Sequence, residues 1–318
     1  MSGTVKECRT LQSNFLDSTR APSVYKTIIS VAELKAFQSD KVLSQNLIIF
    51  DCSFDLADPT KGITQYKDSH IPGALYANLD QHLSAHNLED AINGGRHPLP
   101  KREIFAKWLS KMGVTAESQV VVYDRQGNNF CGRLWWMLKW CGHDNVAVLD
   151  GCLNAWLKSS NQSSSGEPTF TNASQFELKK SLVPMLSIDE LKAKLSSNLD
   201  KPVSLIDARA TPRFNGEIEP LDPIAGHIPG ALNRPFNSNL NSDGFFKTKE
   251  VLKKEFEELL GNKDPQSAVH QCGSGVSAVP NLIAMHIAGF GYTSLYPGSW
   301  SEWSRVPGAP VERKIASN

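Results

Sequence analysis

The chain contains no run of 18 apolar residues, no CxxC pair and no excess of either charge, and each absence removes a class of function. Without such a run, no segment is expected to cross a membrane as a helix, and "MSGTVKECRTLQSNFLDSTR" at the start lacks the apolar core of a secretory signal. Arg9, Arg20 and the hydroxyl residues near them have the composition of a mitochondrial presequence, which Glu7 and Asp17 oppose; a cytoplasmic protein is expected, with the mitochondrion as the alternative. Six cysteines without close even spacing are not a disulfide framework, and the lack of a Cys/His cluster leaves neither a zinc site nor any other metal site to expect. Lysine plus arginine and aspartate plus glutamate both number 33, so the chain offers no basic field for nucleic acid or an anionic membrane surface. A small ligand or a protein partner suits this balance.

What is present is a core of ordinary size, with 40% hydrophobic and 21% charged residues, in a chain of 318 residues that exceeds what one core usually organises. The chain also repeats itself. "HIPGAL" stands at 70–75 and again at 227–232; "LIIFDCS" and "VSLIDAR" precede the two copies, and "VVVYD" and "SAVHQC" follow them. Further on, "CGHDNVAVLDGCLNAW" matches "AGFGYTSLYPGSWSEW", aligning Gly151 with Gly298 and Trp156 with Trp303. Between the halves, "KSSNQSSSGEPTFTNASQ" is polar and aperiodic, as a linker is. The expected organisation is a first unit at 25–158, a linker at 159–181 and a second unit at 182–308.

Within each half, short β-rich runs alternate with helical patterns, which predicts an α/β fold, each unit a parallel sheet with helices on both faces. "SIDELKAKL" opens with Ser187 and Glu190 in capping-box spacing. "KTKEVLKKEFEELLG" predicts a helix with Val251, Leu252, Phe256, Leu259 and Leu260 on its buried face and a stop at Gly261. "GRLWWMLKWCG" is apolar almost all round, so its tryptophans are read as core.

One cysteine stands in unusual company. In "HQCGSGVSA" (270–278), Cys272 follows an apolar strand and precedes a helix, so "CGSG" is the tight turn at a helix N-terminus, where unpaired backbone N–H groups converge and favour an anion. Gly273 and Gly275 are expected to supply positive φ angles to such a turn. Pro280 falls near the first turn of the helix, where a missing N–H is tolerated. A thiol reacts as its thiolate and needs this kind of positive potential. The matching strand of the first half ends in Asp124, so the position accepts a charge, which a packing site would not. Cys272 is therefore the candidate nucleophile; Cys52, Cys131, Cys141 and Cys152 read as buried small residues and Cys8 as part of a tail.

The two "HIPGAL" copies, the "CGSGVS" loop in the second half alone and "PGSWSEW" near the end resemble the tandem-domain rhodanese family over about residues 25–308. Within it, the loop is similar to that of 3-mercaptopyruvate sulfurtransferases rather than thiosulfate sulfurtransferases, whose loop carries Arg and Lys after the cysteine. The resemblance implies sulfur transfer from 3-mercaptopyruvate through a Cys272 persulfide to a thiol acceptor such as thioredoxin, with no cofactor. It implies a proton-handling set of Ser274, His97 from "GGRHPLPKREIF" and Asp80 from "ANLDQHL". It also implies donor contacts from Gly273, Gly275, Val276 and Ser277 of the loop and from Arg213 in "TPRFNGE". A second carboxylate-binding arginine of the family falls at Leu221, which cannot replace it; Arg209 or Arg234 is the expected substitute. His70 and His227 recur in both halves and are expected to be structural. Thiosulfate as the donor is the first alternative and a non-enzymatic scaffold the second; a cell-cycle-type phosphatase is disfavoured because "CGSGVSA" lacks a phosphate-gripping Arg.

Overall fold

The computed structural model describes residues 24–168, 172–196 and 203–314; Cys8, the charges Glu7, Arg9, Asp17 and Arg20, and residues 169–171 of the linker lie outside them. The first half runs β1 (Ile28–Ile29), α1 (Val31–Ser39), β2 (Leu47–Asp51), α2 (Lys61–Asp68), β3 (Leu75–Tyr76), α3 (Arg102–Lys111), β4 (Gln119–Tyr123), α4 (Cys131–Trp140), β5 (Val146–Leu149) and α5 (Cys152–Lys158). The second runs α6 (Ile188–Ser196), β6 (Ser204–Asp207), α7 (Thr211–Asn215), β7 (Leu232–Asn233), α8 (Lys249–Leu260), β8 (Ala268–Gln271), α9 (Val279–Ile287), β9 (Ser294–Leu295) and α10 (Ser299–Trp303).

Both sheets are parallel, with strand orders β1-β5-β4-β2-β3 and β7-β6-β8-β9. Their central pairs share one arrangement: Ile49 lies opposite Val121 in the first and Leu205 opposite Val269 in the second. The edge strand of the first sheet has a remnant in the second, a single parallel bridge of Met185 to Leu295. Strands buried on both sides read as continuous apolar runs, and β4, buried throughout, does so. Among the described residues no helix is long and apolar enough to cross a membrane.

Local signals set the helix ends. Ser187 and Glu190 form the expected reciprocal cap, with Ser187 N–H donating to Glu190 at 2.7 Å and Glu190 N–H donating to Ser187 Oγ at 3.2 Å. Helix α8 buries Leu252, Phe256 and Leu260 and stops at Gly261, but Val251 is exposed. Val251 sits in the first turn, where Thr248 caps its N–H, about 100° around the helix from the face that Leu252, Phe256 and Leu260 bury. The repeated histidines use one structural device twice. His70 stacks on Tyr66 and bonds its carbonyl at 2.8 Å; His227 stacks on Phe214 and bonds its carbonyl at 2.7 Å.

Every residue of α4 is buried, as the apolar run predicts. It packs on α9, and the contact is close: a Cβ on Gly132 would lie 3.3 Å from Val279 Cγ1. One apolar cluster accordingly continues from Phe50 and Trp135 in the first half to Ile283 and Met285 in the second. Because α4 and α9 each follow the loop at the end of a central strand, their packing brings both loops to the same boundary between the halves.

Candidate active site

Cys272 lies one residue beyond β8, and its own backbone is pinned from behind. Its N–H donates to Ser299 Oγ at 3.1 Å and its carbonyl accepts from Trp300 N–H at 3.0 Å. Helix α9 begins at Val279 with Pro280 as its second residue, where proline removes no intrahelical hydrogen bond. Gly275 has φ +74°, the left-handed value expected of it, and a Cβ there would collide with the Pro297 carbonyl. Gly273 does not have a positive φ. Its reason is close approach instead: a Cβ would lie 2.9 Å from Arg96 Nη2 and 3.5 Å from Arg213 Nη1.

The first half shows what this loop geometry does. Asp124, at the position of Cys272, is fully buried, and its carboxylate accepts four backbone N–H groups: Gln126 at 2.9 Å, Asn128 at 3.0 Å, Phe130 at 2.8 Å and Cys131 at 3.0 Å. A strand end followed by a helix seven residues on is thus an anion cradle here. The second half has the same spacing from Cys272 to Val279, and no oxygen acceptor among the described residues takes the N–H groups of Ser274, Val276 or Ala278.

The structure brings Ser274, His97 and Asp80 together from two halves. His97 Nδ1 lies 2.7 Å from Ser274 Oγ, and His97 Nε2 lies 3.4 Å from Asp80 Oδ1. Burial holds His97 below the usual imidazole pKa, and the Asp80 carboxylate pulls the other way. Asp80 is half exposed, with 45% of its side chain open to solvent, while Ser274 is buried.

Arg213 and Arg209 part company. Arg213 reaches the loop and is held by Glu219 at 2.6 Å and Asp222 at 3.4 Å. Arg209 is walled in: it bonds Asp207 through Nε and Nη2, the Gly226 carbonyl at 2.8 Å and Glu219 at 3.3 Å, and it stacks over Trp300. Every nitrogen of its fork is committed, so it is not placed as a second donor contact. Arg234 is turned elsewhere: its Nε bonds Asn239 Oδ1 at 2.9 Å and its Nη2 pairs with Glu255 at 2.7 Å, over Phe256. Leu221 is 40% exposed, and its backbone N–H donates to the Glu219 carboxylate at 3.1 Å. Val276 is buried beneath the loop and Ser277 is half-buried at its end.

Two arginines at the site escape the sequence reading. Arg96, adjacent to His97, pairs with Asp222 at 2.5 Å. Arg133, inside the apolar run of α4, donates to the Gly275 carbonyl at 3.2 Å and the His97 carbonyl at 2.9 Å, a buried latch between the loop after Cys272 and the loop bearing His97. Burial lowers its pKa to about 9, and negative charge on Cys272 acts in the opposite sense. The signal for Arg133 was a charge in a helix apolar but for it and Lys139; for Arg96 there was only its place beside His97.

Fold and site together define a two-sheet α/β protein in which one of two matching strand-end loops presents a thiol and the other a carboxylate. The chain belongs to the rhodanese family: the model of the Rhodanese-like domain matches residues 30–159 and 187–306. It is 43% identical over 268 residues to a probable 3-mercaptopyruvate sulfurtransferase of Pseudomonas aeruginosa, covering 84% of this chain and 92% of that one. It is 35% identical over 270 residues to a putative thiosulfate sulfurtransferase of Mycobacterium tuberculosis, covering 84% and 91%. Among solved structures, the 3-mercaptopyruvate sulfurtransferase from Leishmania major superposes with a TM-score of 0.75 at 29% identity, covering 90% of this chain and 76% of that one.

Proposed function

We propose that this protein is a 3-mercaptopyruvate sulfurtransferase, with units at 25–158 and 182–308 joined by the linker and the chemistry at their boundary. The observation that carries the reading is the 2.7 Å contact of His97 with Ser274, two residues after Cys272, in a loop that has no cationic side chain of its own. A donor whose charge sits on a carboxylate away from its sulfur fits such a loop, with Arg213 to receive the carboxylate.

In the proposed step, the Cys272 thiolate, cradled by the loop N–H groups, attacks the donor sulfur. An S–S bond forms, the C–S bond breaks, and its electron pair leaves as the pyruvate enolate. The proton of the donor thiol passes through Ser274 and neutral His97 to the enolate carbon, giving pyruvate and a Cys272 persulfide anion. Asp80 holds the imidazole with Nε2–H toward itself and Nδ1 free to accept from Ser274. An acceptor thiol, of thioredoxin or a small molecule, then takes the outer sulfur and restores the thiolate. The buried free thiols Cys52, Cys131, Cys141, Cys152 and Cys272 suit a reducing compartment, the cytosol being our reading.

Mass spectrometry after mixing with 3-mercaptopyruvate is expected to show one added sulfur on the peptide carrying Cys272. An adduct from thiosulfate alone would instead select the thiosulfate reading, and none from either donor the scaffold reading.

His97 must be neutral to accept a proton, and burial favours that form, so the acid limb of kcat/KM is expected below the ordinary imidazole pKa of ~6.5. Asp80 opposes this depression, so Asp80→Asn is expected to move the limb to still lower pH. A limb that moves up or stays in place removes Asp80 from its assigned role.

A further inference from the structure

We propose that Arg133 is a positioning residue for the proton relay: its fork fixes the His97 backbone against the loop after Cys272, and its buried charge holds the imidazole in the form that accepts a proton. The proposal deepens the reading of His97 as the relay base and rests on it.

Arg133 is the third residue of α4 and is fully buried. Its fork joins three segments. Nη1 donates to the Gly275 carbonyl at 3.2 Å, and Nη2 donates to the carbonyls of His97 at 2.9 Å and Leu83 at 3.3 Å. One side chain thus ties together the two loops that meet in the 2.7 Å contact of His97 with Ser274. Loosening such a contact by about 1 Å is enough to slow the chemistry about 100-fold.

Tying alone does not call for a charge. The third residue of α9 is Asn281, also buried, and it bridges within its own half by donating to the Arg234 carbonyl at 3.0 Å and accepting from Asn239 at 2.6 Å. The two helices hold matching places in the repeat, and the one beside the relay has a guanidinium where the other has a neutral amide.

That guanidinium has no carboxylate partner among the described residues. The other buried cations each hold one: Lys139 has Asp144, Arg209 has Asp207 and Arg234 has Glu255. Arg133 has backbone carbonyls alone, and its Nε has no partner. A cation buried in this way is destabilising, and an apolar residue of similar size would serve stability better. With a pKa of about 9 it is still charged at neutral pH. The charged groups that act on His97 are Asp80 after β3, Arg96 beside it in the chain and Arg133 from α4. Burial is the largest effect on the imidazole and disfavours its protonation; Asp80 opposes burial, while Arg133 and then Arg96 reinforce it. Arg133 acts from the interior, where salt screens least.

The test is an imidazole nitrogen NMR titration of the full chain, with the His97 signals identified by their loss in His97→Asn; it needs no sulfur donor. Arg133→Met removes the charge and keeps most of the stem. In it His97 is expected to take up its proton at higher pH than in the wild type, the reverse of the shift expected for Asp80→Asn. With 3-mercaptopyruvate, kcat is expected to fall by about 10- to 100-fold with KM changed little, because the buried side chain does not meet the donor, and the acid limb is expected to follow the titration. On top of His97→Asn, the same substitution is expected to change kcat by no more than about twofold, since both changes act through one group. Arg133→Lys keeps a charge but cannot span the carbonyls of Gly275 and His97. It is expected to leave the titration near that of the wild type and to lower kcat, and it carries the test if Arg133→Met does not fold. An unmoved titration in Arg133→Met overturns the proposal, as does the full loss of kcat on top of His97→Asn or a wild-type kcat in Arg133→Lys. If the titration moves while the wild-type protein turns over no mercaptopyruvate, the action of Arg133 on His97 stands and the donor assignment fails.

Discussion

Cys272→Ser is expected to lower sulfur transfer by about a thousandfold or more and to abolish the sulfur adduct, while leaving the fold intact. Serine has nearly the same size and can keep the backbone contacts to Ser299 and Trp300, so unfolding midpoints should match. Its hydroxyl, however, cannot carry a persulfide. No neighbouring thiol can take over. Burial pushes Cys52, Cys131 and Cys152 well up, and the Asp124 carboxylate adds to the effect; burial pushes Cys141 up to about 12. Each shift favours the unreactive protonated thiol, although two of these thiols flank a loop of the same shape. A Cys272→Ser protein that transfers sulfur at the wild-type rate would refute the mechanism.

Asp124→Ala is expected to cost about 3–5 kcal/mol of stability, because four backbone N–H groups then lose their acceptor in a fully buried place. Asp124→Asn should cost less, since its one amide oxygen still serves two of the four. Denaturant unfolding measures both, and sulfur transfer per folded molecule reports whether the half bearing Cys272 is spared. A stability change under about 1 kcal/mol for the alanine variant would show that water can fill the cradle at little cost, and would weaken the parallel between a bound carboxylate here and a thiolate at Cys272.

The cradle was legible because a strand end, a short glycine-containing turn and a helix start are local features, set by a few φ angles and the unpaired donors of one helix. The same holds for the Ser187 cap; repetition of His70 and His227 marked them as structural without showing what they stack on. Local rules misplace individual atoms nonetheless. Gly273 was expected to need a positive φ and instead leaves room for a guanidinium. Val251 was placed on a buried face and lies outside it, because helical periodicity does not state where the first turn meets the core. Arg209 was the expected partner of Arg213, but sequence spacing cannot reveal that Asp207, two residues before it, already holds it.

By itself the sequence determined a duplicated parallel α/β unit with a thiol at one strand end and a carboxylate at the other, since periodicity, turn residues and repetition along the chain encode these. Only the tertiary structure decided which charges face that thiol. Arg96, Arg133 and His97 reach the loop after it through the packing of α4 on α9 and the docking of a first-half loop on α10. A side chain's partner across such a boundary depends on two distant segments at once, and no local pattern records it.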